Sequence, residues 1–283
     1  MTARAGRTRG SRAARLRLLH AALAAPAALL LAALFAYPLL DLLRLSLEHG
    51  SLAHYEAVFS GGLYVRVLWN TARIAVIVTV ACAVLGYPLA HFLATAPRGW
   101  ALFGLLCVVL PFWTSLLVRT YAWMVLLGNN GVVNKLLLAA GIVAEPLPLM
   151  HNELGVVVGM VHVLLPYFVF PVYAVMLRVD RDLMAAAEGL GAPLWQVVRR
   201  IYLPLTLPGV VAGGTLVFIL ALGFFITPAL LGGGKVMMIA LLIDQQVAQM
   251  LNWGLASALC MVLVAAILVF HAALKRIARS RAA

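Results

Sequence analysis

Residues 178–208 read RVDRDLMAAAEGLGAPLWQVVRRIYLPLTLP and form the longest polar island in an otherwise apolar chain. Asp180 or Asp182 suits the cap of a first helix, whose Leu183, Ala186, Ala187 and Leu190 recur at helical spacing. Gly191 ends that helix. Pro193 fits the first turn of a second one carrying Leu194, Val197, Val198 and Ile201 on one face, with Pro204 and Pro208 expected to stop it. A short helical hairpin with apolar faces between two long apolar segments wants a partner groove.

The composition around the hairpin decides the class. With 65% hydrophobic and 11% charged residues among 283, and a mean hydropathy of +1.05, the chain cannot bury its apolar surface in a soluble fold. The expected fold is all-α, a polytopic membrane protein with six spans at about 21–40, 67–94, 101–127, 154–177, 209–231 and 255–274. Residues 1–20 form a basic tail, 21–274 the membrane domain with its loop at 178–208, and 275–283 a second basic tail. The apolar run after the first tail is long enough to span, and reads as an uncleaved first helix rather than a secretory signal. Gly128-Asn129-Asn130-Gly131 closes the third span, and a short helix is expected around 134–140. Pro166 and Pro171 are tolerable inside the fourth, where neighbouring helices satisfy the freed carbonyls.

Charge sets the orientation. Of the 21 Lys and Arg, 15 fall in the two tails, at Arg98 and around the hairpin (Arg178, Arg181, Arg199, Arg200). The alternate segments hold Glu48, Glu56, Glu145, Glu153 and Asp244 instead. That bias places both termini and the hairpin on the cytoplasmic side. The net charge of +12 therefore reads as membrane topology and not as a nucleic-acid surface. Cys82, Cys107 and Cys260 sit in apolar segments at no ligand spacing and read as packing residues. His49 and His54 offer at most a weak metal pair, and His91 and His162 on apolar spans read as interhelical hydrogen-bonders. Gly232-Gly233-Gly234-Lys235 is no phosphate loop, because Val236 stands where Ser or Thr is needed.

The hairpin resembles the cytoplasmic loop of bacterial ABC importer permeases, whose pattern is Glu-Ala-Ala, three residues, Gly, nine residues, Ile-x-Leu-Pro. Here Ala186, Ala187, Gly191, Ile201, Leu203 and Pro204 match, while Ala185 holds the Glu position and Glu188 offers a substitute carboxylate one helical turn on. Three further stretches, LPFWTSLLVRTYAW at 110–123, LGFFITPALLGG at 222–233 and NWGLASAL at 252–259, resemble the spermidine/putrescine branch of these permeases, as do Asn70-Thr71 and Leu85-Gly86-Tyr87-Pro88. The resemblance implies a non-catalytic permease subunit in a bacterial inner membrane, without a cofactor of its own. It also implies two copies of a cytoplasmic ATPase subunit, a second permease and an external solute-binding protein as partners. Its solute is expected to be a polyamine, with phosphonates, opine-like solutes and other small organic cations as alternatives within the class.

Two readings compete with it. A secondary transporter driven by an ion gradient normally shows an internal repeat or paired broken helices, and no convincing repeat links 21–127 with 154–274. A membrane-embedded enzyme lacks a convergent catalytic set. For the solute path the candidates are Trp113, Tyr121, Phe224 and Phe225, whose rings attract a protonated amine. Arg119 joins them, because an ionisable group at membrane depth must face protein or water; Arg73 poses the same question.

Overall fold

A computed structural model describes residues 6–47 and 51–280; Glu48 and His49, with Arg4 and Arg281 of the two basic tails, lie outside the described residues. The chain is all-α. Its helices in order are α1 Gly6–Ser46, α2 Ala53–Ser60, α3 Leu63–Thr95, α4 Arg98–Val109, α5 Leu116–Leu127, α6 Val132–Ala139 and α7 Glu153–Met176. There follow α8 Arg181–Gly189, α9 Leu194–Val197, α10 Leu203–Leu222, α11 Ile226–Leu231, α12 Ile239–Ala248 and α13 Trp253–Ser280. Five helical stretches among the described residues are long and apolar enough to cross a bilayer, and the bent pair Arg98–Trp113 and Leu116–Ala139 makes six if it counts as one crossing.

The bent pair covers the third span expected at 101–127 and shows it broken near its middle. Its two arms meet at 105° around a 3₁₀ turn, Leu110–Trp113. Pro111 cannot donate a backbone bond, and Thr114 then turns to extended geometry (φ −96°, ψ 144°). The Thr114 hydroxyl and backbone N–H both donate to the Pro111 carbonyl, at 2.8 and 3.2 Å. Broken backbone at membrane depth is stable only against protein or a water-filled cavity.

A correction concerns Pro204 and Pro208, which stop nothing. The hairpin's second helix runs on through a π segment, Val198–Tyr202, into α10, and both prolines lie within α10. The π turn widens the ladder just before Pro204, and the buried Thr206 hydroxyl donates to the Tyr202 and Leu203 carbonyls at 3.0 and 3.2 Å. The helix thus carries both prolines by a local π adjustment of its ladder, as helices at membrane depth can. The fifth span accordingly ends at Leu222, where Gly223 and a separate α11 take over, and not at residue 231.

The core is the contact of α3, α7 and α10, around Ile74, Val78, Met160, Leu164, Phe168 and Val217, all within 1% of full burial. On α10, Gly209 and Gly213 face α7: a β-carbon on Gly213 would fall 2.8 Å from the Phe168 carbonyl oxygen, and one on Gly209 3.0 Å from the Val172 Cα. This small-xxx-small pair lets two backbones touch, the means by which helices associate where water gives no hydrophobic drive. A smaller cluster, including Val58, Val67, Ile239 and Leu259, ties α2, α3, α12 and α13 together, and α1 runs along α13. The expected short helix appears as α6, and α7 passes unbroken through Pro166 and Pro171.

Candidate functional site

The hairpin forms as its residues demand. Asp180 is the cap that the sequence left open against Asp182: its carboxylate accepts the Asp182 N–H at 3.0 Å. At the other end of α8 the Gly191 N–H donates to the Glu188 carbonyl at 2.9 Å and the Ala192 N–H to the Ala187 carbonyl at 3.1 Å, with Gly191 at φ +83°. This is a Schellman closure, which needs a left-handed residue at that corner. Pro193 caps α9 in extended geometry.

The candidate residues follow. Ala185, Ala186 and Glu188 are exposed, Ala187 and Ile201 half-buried, and Leu203 and Pro204 exposed at the start of α10. Around them Leu183, Leu190, Leu194, Trp195 and Val198 stand open, Leu190 by 90%. Of the expected second-helix face only Val197 is buried. Large apolar side chains in that density, beside the exposed Arg178, Arg199 and Arg200, mark an interaction surface.

The candidate path residues are scattered along the break and α11. Trp113 is 86% exposed at the bend, Tyr121 is exposed on α5, Phe224 packs against the main core, and Phe225 is exposed at the start of α11. Among the described residues no ring contact joins these four. Arg119 lines a shallow cleft of about 410 Å³ with Cys107, Leu110, Pro111, Thr114 and His162, and its buried Nε has no hydrogen-bond partner. The Trp123 indole N–H donates to His162 Nδ1 at 3.1 Å, so His162 bridges α5 and α7 as expected. The hydroxyls of Thr120 and Thr227, 3.4 Å apart, join α5 to α11. Arg73 pairs with Glu153 at the start of α7. His54 lies against Gly254, where a β-carbon would sit 2.4 Å from its Nε2.

Two residues missed as candidates lie beside the hairpin. Tyr202 occupies the open position of Ile-x-Leu-Pro, and its hydroxyl bonds His91 Nδ1 on α3 at 2.8 Å; the Tyr87 hydroxyl reaches Thr206 Oγ1 at 3.0 Å. At the opposite end of α3, Asn70 donates to the Met237 carbonyl at 2.8 Å and Thr71 Oγ1 accepts the Ile239 N–H at 2.8 Å.

Residues 17–281 match the family described as binding-protein-dependent transport system inner membrane component. The chain is similar to the spermidine/putrescine transport system permease protein PotB of Haemophilus influenzae, 36% identical over 222 residues that make up 78% of this chain and 77% of the relative. Likeness to the protein of the same name from Escherichia coli is 38% over 196 residues, 69% of this chain and 71% of that one. In fold it is similar to a chain of a bacterial alginate ABC transporter crystallised with a periplasmic protein bound to alginate pentasaccharide, with a TM-score of 0.73 and 18% identity over 92% of this chain and 93% of that one.

Proposed function

The chain belongs to the binding-protein-dependent transport system inner membrane component family, and from that premise we propose that it is the permease subunit of an ATP-driven importer for polyamines such as spermidine or putrescine. The observation that carries the coupling role is the hairpin: capped at Asp180, closed at Gly191, and presenting open apolar side chains beside three exposed arginines. A cytoplasmic ATPase subunit, present in two copies, covers this surface through contacts to Ala185, Ala186, Ala187, Glu188, Gly191, Ile201, Leu203 and Pro204. The termini lie on the hairpin's side. ATP chemistry belongs to that partner, and this chain contributes motion: nucleotide-driven closure of the ATPase pair displaces the hairpin, and the spans tilt to expose the path alternately to either side. A second permease completes the path, and an external binding protein delivers the solute.

A polyamine crossing low dielectric needs carboxylates, carbonyls or aromatic faces, since an uncompensated charge there costs many kcal/mol. Trp113, Tyr121 and Phe225 offer exposed rings, and Phe224 is partly buried against the main core. The path's acids come from the second permease. Arg119, which lines the cleft and whose buried Nε has no hydrogen-bond partner, favours a second reading in which the solute carries an anionic group that the guanidinium receives.

Uptake of labelled spermidine, putrescine and an anionic aminophosphonate into vesicles holding the whole complex separates the two. Polyamine uptake that Trp113→Ala weakens without loss of assembly supports the first reading. Transport of the anionic solute alone, abolished by Arg119→Gln, establishes the second and leaves the permease role standing.

A further inference from the structure

Tyr87 and His91 lie one turn apart on α3, and Tyr202 and Thr206 one turn apart at the foot of α10. The pairs Tyr87–Thr206 and His91–Tyr202 meet in antiparallel register, with oxygen–oxygen and nitrogen–oxygen distances of 3.0 and 2.8 Å. The His91 and Tyr202 rings also stand edge to face, 5.2 Å between centroids at 81°. Tyr202 is 5% exposed and Thr206 fully buried, and the Thr206 hydroxyl donates back to the Tyr202 carbonyl, so the two rungs share one backbone turn. Below this ladder the helix is π-wound from Val198 to Tyr202, between the hairpin and the part of α10 that touches α7 backbone to backbone.

We infer that this two-rung ladder is the strap by which displacement of the hairpin is passed to α3, and that Tyr202, Thr206, Tyr87 and His91 are positioning residues for energy coupling. The inference rests on the hairpin docking an ATPase subunit. Helices bend at π turns, so a push on the hairpin with no strap above it would be absorbed between Val198 and Tyr202. With the ladder in place, the end of the compliant segment is fixed to a second helix. That helix is α3, and its other half holds the segment leading into α12 through Asn70, the first residue of α12 through Thr71 and the start of α7 through Arg73. A movement taken up by α3 near Tyr87 and His91 therefore reaches the far end of the bundle, where a solute path must open or close. Tyr202 stands at the open position of Ile-x-Leu-Pro, so the hairpin pattern itself does not call for this rung.

The test uses the whole complex in vesicles and reads ATP hydrolysed per solute taken up, with ATPase association measured alongside. Tyr202→Phe and Thr206→Val each remove one rung with little change of volume. Each is expected to leave the ATPase subunit bound and hydrolysis running, while solute moved per ATP falls roughly 2- to 10-fold, the range of a net hydrogen bond. The double variant is expected to fall by less than the product of the two, since the rungs share one turn. If Tyr202→Phe reduces the amount of folded chain, His91→Ala opens the same rung from an exposed side chain, and His91→Gln, which retains a donor and an acceptor, restores coupling. Unchanged solute per ATP in these variants overturns the strap, as does uptake and hydrolysis falling in equal proportion. A native chain that associates with no ATPase subunit overturns the docking reading itself, a failure distinguishable from one confined to the ladder.

Discussion

Gly191→Val tests the hairpin with little collateral damage. Gly191 sits at φ +83°, where a residue with a β-carbon is strained, yet an added β-carbon there would meet nothing within 4 Å. The substitution thus penalises one backbone conformation, and its β-carbon clashes with nothing. Its cost is about 1–2 kcal/mol, and it falls on a closure made of two backbone bonds, from Gly191 to Glu188 and from Ala192 to Ala187. Such a penalty lowers the population of the closed corner by roughly 5- to 30-fold. Helices α3, α7 and α10 are untouched, so insertion and thermal stability of the bundle should be retained. Co-purification of the ATPase subunit with tagged permease is the assay, with ATP-driven uptake measured on the same preparation. Gly189→Ala is the matched control, since Gly189 is helical and an added β-carbon also meets open space. The variant at 191 should lose most of the bound ATPase or most of the uptake, and the one at 189 neither. Normal association and normal uptake with Gly191→Val would refute the reasoning.

Three further outcomes are expected. Gly213→Val drives a β-carbon to 2.8 Å from the Phe168 carbonyl oxygen and should lower stability by about 1–3 kcal/mol, whereas Gly214→Val meets Thr79 at an ordinary 3.7 Å; monodispersity after heating in detergent compares them, and equal behaviour would contradict the α7–α10 contact. A double-mutant cycle on Arg73 and Glu153, whose side chains are 50% and 39% exposed, should return a coupling of no more than about 1 kcal/mol, and a larger value would mean that the pair is screened from solvent. In a background lacking Cys82, Cys107 and Cys260, single cysteines at Ala144 and Gln249 should react with an impermeant thiol reagent from outside, and one at Gln196 only after permeabilisation; labelling of position 196 from outside would invert the proposed topology.

Much of this fold is legible in the sequence, because the decisive signals are local. An aspartate cap at 180 or 182, the corner at Gly191 and the long apolar runs each follow from a few adjacent residues, and the structure settles the cap on Asp180. His91 and His162 act as interhelical hydrogen-bonders, as apolar surroundings demand. What escaped is non-local or compensated. Pro204 and Pro208 read as stops because proline costs a helix one bond, and nothing in the sequence announces that the helix will run on through a π segment. The run at 101–127 is equally apolar whether straight or bent, so its break at Leu110–Trp113 is visible only in Pro111 and the polar Thr114-Ser115 that follow. The ladder joins residues 111 and 119 positions apart, beyond the reach of any periodicity. The spacing of Gly209 and Gly213 was the one available signal for the α7–α10 contact.

Cross-linking at the hairpin reaches the central claim most directly. A single cysteine replacing Leu190, the most exposed of the hairpin's apolar side chains at 90%, is paired in vesicles with cysteines introduced across the ATPase subunit, beside a control cysteine replacing Ile142 in the loop after α6. The account predicts a disulfide between position 190 and the ATPase subunit whose yield changes when ATP is bound, and none from position 142. A cross-link to the ATPase from position 142, or none from position 190 in a complex that still hydrolyses ATP and imports its solute, would contradict it.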